Sequence, residues 1–414
     1  MKIALTIEKV GSGFGGAENT VAMFARVMHD AGHAVTIFAR KAGGLDLPAG
    51  VRVELLPLGP LGRVRWLRAV RFAQEAAKAV RAGGFDLTIG FNKTYAQDVL
   101  IAVAGAHPGT LEYNRARFRS PLRRELWSLG KRLNPTQIGY RWIDRQAFGG
   151  NRPGEPGGEA GPFVIAPSAM VAEHFQRFHG VPADRIAVVP NGIRLPDQPP
   201  TPAETAERRA RFRQRAGLTE GDVAALFIAW NYALKGLEPL LEAFAKLAPS
   251  RPTAVLVVCG SPKTQRYEAL AERLGIADRV RWIGPVSDPR EAYAGCDLLA
   301  FPTFYDPGAL VVAEAQVAGL PVVTTKQNGA GELLTEGVDG FVIDSPWATA
   351  DLADRIARLI DDPALRRRMS DAAAADAERH DLKRRLRETL AALPGFDAAG
   401  DRDEASEESN RRAA

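Results

Sequence analysis

The sequence predicts an α/β protein made of two doubly wound parallel-sheet halves that face each other across a cleft. Three observations predict it. Short β-branched runs alternate with helical patterns along most of the chain, which is the signature of βαβ units. That series runs twice, broken by one stretch too rich in Gly and Pro to carry a helix or a strand. The length, 414 residues, is that of about two domains. Hydrophobic residues make up 46% and charged residues 25% of the chain, and mean hydropathy is -0.15. These values exclude disordered and fibrous classes and supply enough apolar side chains for two cores.

In the first half, Ile3 to Ile7 reads as a strand, Ala17 to Ala31 as a helix closed by Gly32, and Ala34 to Ala39 as a strand. Val51 to Leu56 is a strand, about Arg63 to Arg81 a long helix, and Leu87 to Phe91 a strand. Arg115 to Phe148 reads as helical and basic. The Gly/Pro stretch 149–161 then marks the expected boundary between domains. Beyond it, strands are expected at Phe163 to Ala166, Ile186 to Val189, Ala224 to Ala229, Val255 to Val258, Val280 to Ile283, Leu298 to Phe301 and Val322 to Thr324. The expected organisation is a first domain at 1–161, with a basic helical insertion at 115–148, and a second at 162–379. A closing helix at 380–396 returns to the first domain, and 397–414 form a polar tail without the apolar residues to fold.

No apolar run approaches the ~20 residues that a membrane-spanning helix needs. Met1-Lys2-Ile3-Ala4-Leu5-Thr6-Ile7-Glu8 meets a charge too early for a signal-peptide core. The two cysteines, Cys259 and Cys296, cannot build a disulfide framework. Together these features point to the reducing cytoplasm. The six histidines have no metal-site spacing, so no metal is expected. Net charge is +5, and the segment Arg115 to Arg145 exceeds it alone, with nine Lys or Arg against two acids. A second basic run, Arg63, Arg65, Arg68 and Arg71, lies in the same half.

The loop Gly11-Ser12-Gly13-Phe14-Gly15-Gly16 fits Gly-x-Gly-x-x-Gly between a strand and a helix, where bare backbone amides approach a phosphate. A dinucleotide site also wants an acid at the end of the second strand, and this chain has Ala39-Arg40-Lys41 there. Arg40 instead suits a 2′-phosphate, which keeps an NADP-dependent oxidoreductase as an alternative; a tight turn with no ligand is the plainer one. Lys235-Gly236 follows the strand Ala224 to Ala229, setting an ammonium over the cleft as a phosphate counter-charge, if it is not simply a solvated lysine. In Phe301 to Ala315, a carboxylate at Asp306 and a glycine at Gly308 precede a helix whose first amides are open to an anion. Glu314 lies inside that apolar helix and needs a partner, either within the core or from ribose hydroxyls.

Taken together, Lys235-Gly236, the Asp306 to Glu314 segment, Ala318 to Val322, Pro190-Asn191-Gly192-Ile193 and Asn328-Gly329-Ala330-Gly331-Glu332 resemble the retaining glycosyltransferases of family 4, which have GT-B architecture. The likeness covers most of residues 1–380. Gly90-Phe91-Asn92-Lys93 with Asp98-Val99 and the basic insertion looks most like those members that add glucose to heptose of a lipopolysaccharide core. The resemblance implies a nucleotide-sugar donor, UDP-glucose above all, and no cofactor. It implies that Gly15 and Gly16 approach the donor diphosphate by backbone, and that Lys235 neutralises the leaving group. Asp306 with the amides of Gly308, Ala309 and Leu310 would hold the sugar and phosphate, Glu314 the ribose, and the segment at Val286 the base. His107, after an apolar strand, would touch the donor sugar or acceptor hydroxyl, unless it is structural. Two departures stand out. The family pattern is Glu, seven residues, Glu, whereas Asp306 is one methylene shorter; and no Arg accompanies Lys235, which follows Ala233-Leu234.

The basic segment interleaves Phe118, Leu122, Leu126, Trp127, Leu129, Leu133, Tyr140 and Trp142 with its cations. Arg115, Arg117, Arg119, Arg123, Arg124, Trp127, Lys131 and Arg132 therefore suit an anionic membrane surface or a phosphorylated lipid-linked glycan acceptor, the other reading being a helical pair with a solvated basic face. Nucleic acid is not expected as a partner, since no nucleic-acid-binding pattern is present. A non-catalytic membrane-associated scaffold of the same fold and a nucleotide-sugar epimerase complete the alternatives.

Overall fold

A computed structural model describes residues 1–11, 16–44, 47–64, 66–91, 93–149, 161–196 and 198–396. Gly15, Asn92, Arg65, residues 150–160 of the Gly/Pro stretch and the tail 397–414 lie outside the described residues.

The first unit runs β1 (Lys2–Val10), α1 (Gly16–Asp30), β2 (Ala34–Ala42), β3 (Arg52–Leu55), α2 (Arg68–Gly83), β4 (Leu87–Phe91) and β5 (Val99–Ile101). It continues with α3 (His107–Ala116), α4 (Pro121–Leu133), α5 (Pro135–Phe148), β6 (Phe163–Ala166), α6 (Ala169–His179) and β7 (Ile186–Val188). The second unit runs α7 (Pro202–Arg215), β8 (Val223–Ala229), α8 (Leu237–Leu247), β9 (Ala254–Gly260), α9 (Gln265–Arg273), β10 (Val280–Gly284), α10 (Pro289–Gly295) and β11 (Leu298–Phe301). After it come α11 (Leu310–Val317), β12 (Val322–Thr325), β13 (Gly340–Ile343), α12 (Thr349–Asp361), α13 (Pro363–Ala375) and α14 (Leu382–Ala392).

Seven strands form one sheet in the order β3-β2-β1-β4-β5-β6-β7 and six form the other in the order β10-β9-β8-β11-β12-β13. The ladders are parallel. Helices cover both faces, so β9 and β11 are continuous apolar runs, and β1 and β4 are buried throughout their middles. Helix starts follow local chemistry. Ser120 before Pro121, Asn134 before Pro135 and Ser168 before α6 each accept an N–H of the first turn, and Thr201 with Glu204 closes a capping box on α7. The long helix expected from about Arg63 starts later, at Arg68, after a 3₁₀ turn over Pro60–Arg63. The edge strand β13 was not anticipated; four residues starting with Gly are too short a run to stand out.

The expected boundary at 161/162 is corrected. β6 and β7 belong to the first sheet: Leu100 of β5 pairs with Val164, and Ile165 with Ala187. The Gly/Pro stretch thus joins α5 to β6 within one unit, and the chain crosses to the second unit between β7 and α7. It crosses back after α13, where α14 sets Leu386, Leu390 and Leu393 into the core of the first sheet beside Ile3, Leu5 and Ile37. The two crossings run side by side, with Ile193 N–H donating to His380 O and Leu382 N–H to Ile193 O, both at 2.8 Å.

In each sheet the strand order reverses once, between β1 and β4 and between β8 and β11. Ligands of open α/β sheets sit at the carboxyl ends of the strands at such switch points.

Candidate functional site

Lys235 follows β8 and Asp306 follows β11, so the two lie on either side of the second sheet's switch point. After β8 the chain turns tightly: the Lys235 N–H donates to Asn231 O at 3.0 Å and the Leu234 N–H to Asn231 Oδ1 at 3.2 Å. Gly236 has φ +82°, and a Cβ there would stand 1.9 Å from Pro302 O, so only glycine lets this turn lie against the β11 loop. The contact aims the Lys235 ammonium at that loop. Its Nζ is 2.6 Å from Asp306 Oδ2 and donates to Tyr305 O at 3.1 Å, and both side chains of the ion pair are less than one-fifth exposed.

The loop before α11 is built on Asp306 and Asn328. Asp306 Oδ1 accepts the Gly308 N–H at 3.2 Å, and Asn328 Oδ1 accepts those of Ala309 at 3.4 Å and Ala330 at 3.1 Å. Of the three amides assigned by resemblance to the donor, Gly308 and Ala309 therefore have internal acceptors, and that of Leu310, in the first turn of α11, has none among the described residues. One turn on, Glu314 accepts from the Tyr293 hydroxyl at 2.6 Å, and burial pushes its carboxyl above the usual range. Asp306, Gly308, Ala309, Leu310 and Glu314 all line one cleft of about 850 Å³, together with Val103, Pro167 and Asn191 of the first unit.

The same loop ties the two units together. Ser168 Oγ donates to Pro307 O and Asn191 Nδ2 to Gly308 O, each at 2.8 Å. The Tyr305 ring stacks on Tyr113, centroids 5.6 Å apart, and on His174 at 5.9 Å. Glu332 reaches from the second unit to the start of α6, accepting Ala169 N–H at 2.7 Å and Met170 N–H at 2.8 Å, a carboxylate on the positive end of a helix. Sequence reasoning named the Pro190–Ile193 and Asn328–Glu332 motifs without seeing that they are these ties.

The other expected residues divide. Gly16 opens α1 at the end of β1's loop. Val286 follows β10 and packs on the second unit's core. His107 opens α3, yet it lines a separate small cavity with Lys93, Asp144 and His179, outside the donor cleft. Burial first, then the charges of Lys93 and Arg141, push its imidazole down to about 3. The imidazole is therefore neutral at pH 7, and its Nε2 has no hydrogen-bond partner among the described residues. In the basic insertion, Arg119 pairs with Glu242 of α8 and lies 4.1 Å over the Trp347 ring, Trp347 Nε1 donates to Ala116 O at 3.1 Å, and Arg115 pairs with Glu125. Arg117 packs over Phe118 and Trp127. These arginines have partners within the protein, and the Arg115 and Arg119 side chains stay about half exposed, at 45% and 57%. On α4 no residue is buried: Leu122, Leu126, Leu129 and Leu133 are 53–69% exposed, with Arg123, Lys131 and Arg132 alongside. No helix among the described residues is long and apolar enough to cross a membrane. Arg40, which an NADP site needs, donates instead to Glu8 Oε1 at 2.9 Å.

Comparison with known proteins fits this arrangement. The profile of "Glycosyltransferase Family 4" matches residues 14–195 and that of "Glycosyl transferases group 1" residues 208–376, so the two meet where the chain crosses between units. The chain is 25% identical over 370 residues to the lipopolysaccharide glucosyltransferase WaaG of Escherichia coli (strain K12), covering 89% of this chain and 92% of that one. It is 33% identical over 232 residues to D-inositol 3-phosphate glycosyltransferase of Xylanimonas cellulosilytica, a match that takes in 52% of each chain. Among solved structures, WaaG superposes with a TM-score of 0.73 at 24% identity, over 95% of this chain and all of that one. Anabaena Alr3699/HepE in complex with UDP-glucose gives 0.62 at 21% identity, over 95% and 100%.

Proposed function

Because the chain belongs to the family 4 glycosyltransferases of GT-B architecture, we propose that it moves glucose from UDP-glucose, with retention at the anomeric carbon, to a lipid-linked or lipopolysaccharide-core glycan at the cytoplasmic face of an anionic membrane. The observation that carries the donor side is the Lys235–Asp306 pair at the switch point of the second sheet, with Asp306 lining the cleft beside the open amide end of α11. Transfer breaks the bond from the anomeric carbon to the diphosphate, which leaves with the electron pair. The acceptor oxygen forms the new bond on the same face, and its proton goes to a departing phosphate oxygen. Negative charge grows on the diphosphate, and a preformed ammonium and helix amide stabilise that growth without having to reorganise. Glu314, held by Tyr293, keeps its other carboxylate oxygen for the ribose hydroxyls.

The acceptor side rests on α4. Its four exposed leucines recur at helical spacing on one face and are flanked by cations, the pattern of a helix lying in a lipid headgroup layer. The experiment is nucleotide diphosphate release from a panel of UDP-, GDP- and ADP-sugars, with and without a heptose-containing lipid acceptor. UDP-glucose with acceptor-stimulated release is the expected result. Release from another donor alone corrects the sugar, and no release or donor-induced thermal shift anywhere in the panel overturns the donor assignment.

A further inference from the structure

Two arginines that line the same cleft as the amide end of α11 take no part in the site described above. The crossing segment passes directly under α14, and a Cβ on Gly192 would stand 2.6 Å from Leu382 Cα and 3.0 Å from Arg385 Cγ. This close passage brings Arg194, two residues on, and Arg385, one turn into α14, onto the same wall. Both line the cleft that holds Asp306, Gly308 and Leu310. Asn191 ties the crossing segment to Gly308 O at 2.8 Å, and Arg194 lies three residues further along. Arg194 and the open end of α11 therefore face one cleft.

The charges on this wall do not cancel. Arg385 is only 9% exposed; its Nη1 donates to Glu388 Oε2 at 2.7 Å, and its Nε has no partner among the described residues. The Glu388 carboxylate is shared, since Arg384 Nε donates to its other oxygen at 2.9 Å. One carboxylate between two guanidinium groups leaves a positive charge over. Arg194 is exposed and has neither an ion pair nor a hydrogen bond among the described residues. A largely buried guanidinium with an unfilled donor, next to a free one, is a poor structural device and a good anion site, because burying charge without full pairing costs stability that a bound anion returns.

We propose that Arg194 and Arg385 form a second anion subsite of the cleft, taking a phosphate group. The phosphate belongs either to the donor diphosphate, reaching over from α11, or to a phosphorylated acceptor sugar. In the first case Arg194 supplies the second cation that the turn at Lys235 lacks. The proposal rests on the cleft being the transfer site, and its test separates the two.

The test is calorimetric titration of the wild-type protein, Arg194→Ala and Arg194→Lys with three probes: inorganic pyrophosphate, UDP and glucose 6-phosphate. Arg194 is exposed, so both variants keep their thermal midpoint, and Arg194→Ala weakens at least one probe by about tenfold, as expected for one charge-assisted hydrogen bond. Arg194→Lys restores most of that loss. A loss for pyrophosphate and UDP but not for glucose 6-phosphate assigns the subsite to the donor; a loss for glucose 6-phosphate alone assigns it to the acceptor. If wild type binds pyrophosphate through Arg194 but shows no preference for UDP, the subsite stands and the nucleotide-donor reading falls. If all three probes bind Arg194→Ala within twofold of wild type, or bind neither protein, the proposal is wrong.

Discussion

Replacing Lys235 with alanine tests the site most directly. The ammonium carries three N–H groups. The structure spends two of them, on Asp306 Oδ2 at 2.6 Å and Tyr305 O at 3.1 Å. One is left for a diphosphate oxygen, and the ion pair's low exposure keeps that bond from being screened by water. Lys235→Ala removes this donor and its charge at the position where negative charge develops. Loss of one such preorganised group costs about 10²–10³ in rate, roughly 2.7–4 kcal/mol. It also strands the Asp306 carboxylate, at about 1–3 kcal/mol of stability for a pair that is mostly but not wholly buried. Asp306→Asn keeps the ammonium and loses less. Because the two side chains act as a unit, the double variant is little slower than Lys235→Ala alone. The assay is the initial rate of acceptor-dependent nucleotide diphosphate release, with circular dichroism to confirm folding. A folded Lys235→Ala protein that turns over within threefold of wild type refutes the assignment.

Other outcomes follow from single features. His107 and His380 are pushed down to about 3 and about 4, mainly by burial, from 6.5. Between those values and 6.5 the unfolded chain binds protons that the folded one does not. Stability therefore falls as pH drops from 7 to 5, by at most about 2 kcal/mol for each histidine, and urea midpoints at the two pH values read this directly. His107→Gln halves the two-histidine share of that fall; with the ring in a small cavity beside Lys93 and Asp144, kcat stays near wild type, and a kcat drop of about a hundredfold or more places the ring at the reacting centre. Gly236→Ala forces a methyl against Pro302 O in a left-handed turn; it lowers the thermal midpoint and raises the KM for the donor through Lys235. Leu126→Asp with Leu129→Asp, both on the exposed face of α4, leaves the thermal midpoint unchanged and abolishes co-sedimentation with anionic vesicles; unchanged co-sedimentation removes α4 from the membrane reading.

What was legible in the sequence is what is decided locally. Apolar runs of strand length between helical patterns gave both sheets, and a lysine and an aspartate in the loops that follow two such runs gave both halves of the ion pair, because a strand's carboxyl end fixes where its loop stands. The boundary at 161/162 failed because sheet membership is a long-range matter. Only the pairing of Leu100 with Val164 puts β6 beside β5, and Gly/Pro composition marks a break in structure without saying whether a loop or a domain crossing fills it. His107 was placed at the right strand end, but its ring direction is set by α5, which brings Tyr140 and Asp144 over it. Arg119 reads as a surface cation until Glu242 and Trp347, far along the chain, are folded against it.

The ties between the units bear on mechanism because they use the donor loop itself. Between Asp306 and Leu310 the backbone carbonyls of Pro307 and Gly308 turn toward the first unit and are taken by Ser168 and Asn191. Asp306 and Leu310 line the cleft, and the Asp306 carboxylate accepts from Lys235 Nζ and the Gly308 N–H. One short loop thus carries hydrogen bonds both to the first unit and to Lys235. Opening the cleft breaks the Ser168 and Asn191 bonds and the Tyr305 stack, and frees the loop that positions Asp306 against Lys235. In the proposed transfer the ammonium is therefore best placed for a departing diphosphate while these ties are made, with water displaced from the reacting centre. On that reading, two carbonyl acceptors and one aromatic stack couple the charge placement at Lys235 to domain closure.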